Sequence, residues 1–203
     1  MRIVLMLALS AAFGIAHAQR IVYTKSFPAS TPAYVKITIT PAGAVTYQEA
    51  ADEEPETFQL ESASTTAIFD LATKLDHFKR KLESGLKVAK TGDKTYRWEE
   101  GGSSSETTFN YSTDEDAKTL QLWFERVTET ERMMADLRRT AKYDRLGVNE
   151  VLVRIDTSWQ QKRLVAPAQF VSALDRVAKN DSFLHMAQER AANLSEAFKA
   201  APK

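Results

Sequence analysis

Apolar and polar residues alternate along the first part of the chain, between residues 21 and 60. Such alternation is typical of strands that bury one face. It is strictest over residues 34–40, where every second residue is apolar and β-branched. Pro41 and Gly43 are suited to a turn, because proline fixes φ and glycine tolerates a positive φ. The pattern predicts strands at about 21–25, 34–40, 45–47 and 58–60.

A change of period near Ser64 predicts the first helix. From there apolar residues recur every three or four positions and form one stripe on a helix surface. The members of this stripe are Ile68, Leu71, Leu75, Phe78 and Leu82. We therefore expect an amphipathic helix that ends before the loop between Gly85 and Gly92.

The order of strands followed by a helix then occurs a second time. Segments 95–99 and 106–111 predict two strands joined around Gly101. A long helix is predicted to follow and to reach about Tyr143. Thr113 is its predicted N-cap, because an acidic residue stands three positions later.

The C-terminal part of the chain has the pattern of several shorter helices. Gly147 marks the predicted end of the long helix, and three apolar stripes follow it, at 148–159, 170–177 and 184–198. We predict an α+β fold: an antiparallel sheet of about five to six strands, built from two hairpin-then-helix units, with a helical C-terminal region packed alongside. The predicted divisions are residues 1–18, 19–146 and 147–203.

The N-terminal residues 1–18 predict a secretory signal peptide. Arg2 supplies a positive charge, residues 3–9 form a short apolar core, and small residues at Ala16 and Ala18 suit a cleavage site before Gln19. The apolar run is too short to span a bilayer, and no cysteine follows it to carry a lipid. We expect a periplasmic or secreted soluble protein with no membrane span in its mature form.

Composition and motifs narrow the range of functions. Lysine plus arginine and aspartate plus glutamate each number 27, and this balance argues against a nucleic-acid partner. The sequence contains no cysteine, which favours a bacterial envelope protein over a disulfide-stabilised extracellular domain. It also contains no recognisable phosphate-binding loop, nucleophile elbow or set of three metal ligands. We therefore expect no cofactor and no bound metal.

The second predicted hairpin carries the candidate ligand-binding residues. Tyr96 and Trp98 share one face of a strand, and Phe109 and Tyr111 share one face of the next. In a matching register the four rings would form a platform able to stack on a sugar or to grip a peptide. The alternative is that this face packs under the long helix against Trp123, since a hairpin needs such cover to be stable.

Histidines and carboxylates provide further candidates with simpler interpretations. His185 and Glu189 lie one helical turn apart, but a zinc site needs at least one more protein ligand. A solvated pair explains them. Acidic groups at 52–54, 99–100 and 114–116 could supply a catalytic carboxylate pair, whereas a solvated loop, a hairpin end and a helix start also account for them.

The sequence contains no motif that specifies an activity. We expect a non-enzymatic binding or scaffolding module of the cell envelope, with a protein or glycan partner. One alternative is a carboxylate-dependent hydrolase of an envelope polysaccharide, which requires two carboxyls across a cleft, one of them with a raised pKa. A second alternative is a periplasmic inhibitor or chaperone-like protein, which requires an exposed apolar patch.

Overall fold

The computed structural model describes residues 19–201, which form one antiparallel sheet of six strands and five α-helices. The predicted α+β class, with a helical C-terminal region, is therefore confirmed. The predicted signal peptide, including Ala18 at its cleavage site, lies outside the described residues.

The sheet places its first strand at the centre. Its strands are β1 (Arg20–Ser26), β2 (Tyr34–Ile39), β3 (Ala44–Gln48), β4 (Glu56–Gln59), β5 (Asp93–Glu100) and β6 (Ser103–Phe109). Their spatial order is β4-β3-β2-β1-β5-β6, so β1 joins the two hairpin units. Alternate residues such as Ile21, Tyr23 and Ile37 are buried on one face, as the alternation predicts.

The first helix, α1 (Ser62–Lys74), is shorter than its apolar stripe predicts. After Leu75, the three residues Asp76, His77 and Phe78 all have positive φ, a region that L-residues seldom adopt. The chain therefore leaves the helix, yet Phe78 and Leu82 are still buried in the core of the sheet. The prediction of one helix reaching Leu82 is wrong, because an irregular segment buries the end of the stripe.

The second helix, α2 (Glu115–Tyr143), ends where the sequence predicts but begins with a different cap. The Asp114 carboxylate accepts a hydrogen bond of 3.0 Å from the backbone N–H of Ala117. Asp114 is therefore the N-cap, and the prediction of Thr113 is one residue early. The Asp114 side chain satisfies one of the free N–H groups of the first turn and places negative charge at the positive end of the helix dipole.

The helical region adds α3 (Val148–Gln160), α4 (Val171–Ala178) and α5 (His185–Lys199), as the three apolar stripes predict. These helices pack around a second core that includes Leu152, Phe170 and Phe198. α2 contributes to both cores, with Phe124 in the sheet core and Leu137 in the helical core. The turn at residue 147 separates α2 from α3, but the change of packing partner occurs within α2.

The connection from α3 to α4, which we call the crossing segment (residues 161–170), returns across the middle of α2. Three consecutive residues of α2 hold it by hydrogen bonds. Arg163 contacts Glu129, the Val165 N–H donates to the Thr130 hydroxyl, and the Gln169 amide donates to Glu131. The crossing segment therefore fixes the helical region against the helix that also covers the sheet.

Candidate functional site

A cleft of about 680 Å³ opens where the sheet meets the helical region. Its walls are the end of β1, the loop before β2 with the start of that strand, the middle of α2, one side of α3 and the start of the crossing segment. This volume lies within the range that small-molecule sites usually have. We take this cleft as the candidate functional site.

Tyr23 forms part of the cleft wall and belongs to the core of the sheet. Its ring stacks parallel to Phe124 of α2, with the ring centroids 4.3 Å apart. Burial, reinforced by the negative charge of Glu125, raises the pKa of Tyr23 well above its ordinary value. The hydroxyl is therefore protonated at neutral pH and remains a hydrogen-bond donor.

Most charged groups of the cleft bind one another. Arg163 donates to the carboxylate of Glu129, and Arg154 donates to Asp136 at 3.0 Å. Partial burial raises the pKa of Asp136, but hydrogen bonds from Arg139 and Arg154 outweigh it and lower that pKa below its usual value. These contacts fix the walls of the cleft and leave few charged groups for a ligand.

Three polar groups of the cleft are exceptions to this pairing. Glu125 forms no salt bridge within residues 19–201, although its carboxylate accepts a hydrogen bond of 2.7 Å from the Gln121 amide. Lys25 makes no salt bridge with any residue between 19 and 201, although its side chain lines the cleft. The Ser158 hydroxyl oxygen is buried and has no hydrogen-bond partner in the described part of the chain. A buried polar group without a partner costs about 1–3 kcal/mol, so such a group points to a missing partner.

A smaller crevice of about 290 Å³ adjoins the cleft, with which it shares Arg132 and Asp136. Glu131 of α2 lies in it and is 5% exposed. Burial raises the pKa of Glu131 to about 7, the hydrogen bond from Gln169 opposes this shift, and the charge of Glu56 adds to it. The crevice therefore holds a carboxyl that exchanges its proton near neutral pH.

The sequence interpretation missed Glu131, although the sequence contains a sign of it. Glu131 stands four residues after Val127 and three before Met134, and both apolar residues are buried. A charged residue at this spacing therefore falls on the buried side of α2. Such a position is uncommon for glutamate unless the carboxyl has a partner.

The structure places three of the four predicted platform residues in the core. Tyr96 is 0% exposed, Trp98 5% and Phe109 2%, and the rings of Tyr96 and Phe109 meet edge to face at 5.0 Å. The Tyr96 hydroxyl donates to the Ala117 carbonyl oxygen of α2 at 2.9 Å. Tyr96 therefore packs under α2, as the alternative interpretation proposes, whereas the Trp98 ring packs against Phe69 of α1 and stacks on His77. The three rings do not form an exposed platform.

Register and strand length explain the difference. Phe109 pairs with Lys94, two residues before Tyr96, and β6 ends at Phe109. Tyr111 lies beyond the end of β6 and is 38% exposed, so it does not share the face of the other three rings. The α2 ring that meets Tyr96 is Phe124, with centroids 5.7 Å apart, whereas Trp123 is only partly buried at the edge of the core.

The other sequence candidates lie on the surface. Glu99 binds Arg20 and Arg97, and residues 52–54 form part of an exposed loop. His185 and Glu189 form an exposed pair with a nitrogen–oxygen distance of 3.2 Å. Within residues 19–201 no group of three or more histidine, cysteine, aspartate or glutamate residues is placed to hold a metal ion.

Two further findings do not depend on the cleft. None of the helices in the part that the structure describes combines the length and the hydropathy needed to cross a membrane. Comparison with known proteins found no family model that matches this chain, and no curated protein or solved structure similar to it.

Proposed function

We propose that this chain is an exported, non-enzymatic binding protein of the bacterial cell envelope, and that the cleft holds its ligand. One observation carries the proposal: within residues 19–201 Lys25 has no salt-bridge partner and the buried Ser158 hydroxyl no hydrogen-bond partner, in a cleft where four of the charged side chains form ion pairs with each other. A ligand with a complementary polar group would bind Lys25 directly, and it would reach the Ser158 hydroxyl only after that side chain rotates toward the cleft. A protein or glycan of the envelope could present such groups.

The lining of the cleft is also suited to selective binding. Apolar side chains such as Val35, Met133 and Val153 share the surface with the paired charges. In binding sites of this kind, apolar contacts supply most of the affinity, and a few fixed polar groups orient the ligand. The ion pairs Arg163–Glu129 and Arg154–Asp136 hold the walls around these groups in place before a ligand arrives, which reduces the entropy lost on binding.

Native mass spectrometry of the protein purified from its export compartment tests this proposal. Thr157 is exposed and lines the cleft, so Thr157→Trp should fill part of it. Leu122→Trp places the same bulk on an exposed position of α2 that does not line the cleft. We expect a stoichiometric bound molecule on the wild type and on Leu122→Trp, but not on Thr157→Trp. Equal occupancy in all three proteins, or none in the wild type, would overturn the proposal.

The carboxylate-dependent hydrolase is the second candidate, and Glu131 favours it. A protonated Glu131 in the crevice could serve as a general acid, with Glu56 as the second carboxylate, because the charge of Glu56 acts on Glu131. Release of reducing ends from an envelope polysaccharide by the wild type, and its loss in Glu131→Gln, would support this activity. Absence of turnover on such polymers is the result expected of a binding protein.

A further inference from the structure

Two lysines face each other on the buried side of the sheet. Lys25 of β1 pairs directly with Lys94 of β5, on the same face as the buried Tyr23 and Tyr96. Side chains opposite each other on antiparallel strands stand about 5 Å apart at Cβ, and like charges in this arrangement destabilise the pair. The sheet therefore holds two facing positive charges beside the cleft.

Lys94 is buried and its ammonium group is bound entirely by neutral acceptors. It donates to the Thr91 hydroxyl at 3.2 Å, to the Gly92 carbonyl at 3.2 Å and to the Asn110 carbonyl at 2.7 Å. These three bonds use all three donors of the group and hold the loop before β5 against the end of β6. They satisfy its hydrogen bonds, but within residues 19–201 no carboxylate lies within 4.0 Å of its ammonium group.

Lys25 is only partly buried and lines the cleft, whereas Lys94 is buried. A ligand in the cleft can therefore reach Lys25. The carboxylates of Glu125, Asp93 and Glu83 act on the charge of Lys94, but none of them lies within 4.0 Å of either ammonium group. Glu125 accepts a hydrogen bond of 2.7 Å from the Gln121 amide of the same helix. Burial, followed by the charge of Lys25, lowers the pKa of Lys94, in agreement with this geometry.

We propose that the ligand of the cleft carries an oxyanion, a carboxylate or a phosphate, which binds the ammonium group of Lys25 and offsets the facing charges of Lys25 and Lys94. This inference rests on the proposed binding function of the cleft. An anion at Lys25 would make a charge-assisted hydrogen bond and would relieve the repulsion behind it. Lys94 acts here as a positioning residue, since its own donors are already used.

The test is to titrate small probe molecules into the ¹⁵N-labelled exported protein at constant ionic strength. Changes in the amide chemical shifts report binding and its position. The probes are succinate, inorganic phosphate and the neutral analogue succinamide. The variants are Lys25→Gln and the control Lys36→Gln, which lies on the opposite face of the sheet next to Thr24. We expect one anion to bind saturably at cleft residues and Lys25→Gln to weaken it about tenfold or more, with Lys36→Gln unchanged within about twofold.

The probes also distinguish a carboxylate ligand from a phosphate ligand. They further distinguish failure of the oxyanion inference from failure of the proposed binding function. Tighter binding of succinate points to a carboxylate ligand, and tighter binding of phosphate to a phosphate ester. Equal binding of succinamide and succinate, or binding of anions that Lys25→Gln leaves unchanged, would overturn the oxyanion proposal and keep the cleft as a binding site. If no anion shifts the cleft amides, the oxyanion proposal fails, and the occupancy of Thr157→Trp then decides separately whether the cleft binds a ligand.

Discussion

The side-chain amide of Gln169 donates a hydrogen bond of 2.9 Å to the carboxyl of Glu131. This contact joins the crossing segment to a buried acid in the middle of α2. Because burial raises the pKa of Glu131 to about 7, the contact involves a group that gains or loses its proton near physiological pH. Proton binding is thereby linked to the attachment of the helical region.

The free energy of unfolding should decrease as the pH rises from about 4.5 to above 7. The folded protein holds the Glu131 proton up to a pKa of about 7, whereas the unfolded chain loses it near the ordinary value of 4.5. The folded state therefore binds more protons in this window, and this group's contribution falls by up to about 3 kcal/mol across it. Urea unfolding at pH 5 and pH 8 measures the effect. The neutral variant Glu131→Gln should show a smaller difference, and an equal difference would contradict this assignment.

Tyr96→Ala should destabilise the protein by about 3–5 kcal/mol, because it removes a fully buried ring that meets Phe109 and Phe124. Tyr111→Ala provides the matched control, since this ring is partly exposed beyond β6. We expect the control to change the free energy of unfolding by less than about 1 kcal/mol. Denaturant unfolding of both variants distinguishes a core role from an exposed platform, which would give similar small changes in both.

Asp114→Ala should cost about 1 kcal/mol, because it removes the side-chain acceptor for the Ala117 N–H at the start of α2. Thr113→Ala, at the position that the sequence pattern favours, should leave the free energy of unfolding nearly unchanged. Thermal unfolding of the two variants tests the assignment of the cap. A larger loss from Thr113→Ala than from Asp114→Ala would show that the cap lies one residue earlier.

Gly43→Ala should destabilise the turn between β2 and β3 more than Gly101→Ala destabilises the turn between β5 and β6. Both glycines have positive φ, so each substitution introduces backbone strain of about 1 kcal/mol. At Gly43 a Cβ would also lie 2.9 Å from the carbonyl oxygen of Leu60, whereas nothing lies within 4 Å at Gly101. Comparison of the two unfolding midpoints isolates the steric contribution, and equal midpoints would argue against a close contact at Gly43.

The pattern of hydrophobic residues predicted the elements well where burial is one-sided. Val35, Ile37 and Ile39 alternate with polar residues because only one face of β2 is covered. The same reasoning extended α1 too far, since a stripe ending at Phe78 and Leu82 indicates burial without indicating backbone conformation. The positive φ values from Asp76 to Phe78 depend on tertiary packing that a local pattern does not contain.

The candidate site was not predictable, because its groups come from distant parts of the chain. Lys25 lies on the central strand and Ser158 near the end of α3, and only the packing of the helical region brings both to one cleft. The aromatic residues show a related limit. Alternation places Tyr96 and Trp98 on one face of β5 but does not say whether a helix covers that face.

α2 is continuous between the two cores, and this determines how a ligand would enter the cleft. Its sequence from Glu115 to Tyr143 contains no glycine or proline, the residues at which helices most often bend sharply. The sheet and the helical region are therefore joined by one uninterrupted helix. For a ligand bound as we propose, a continuous α2 favours a cleft that is already formed before binding over one that forms by domain closure.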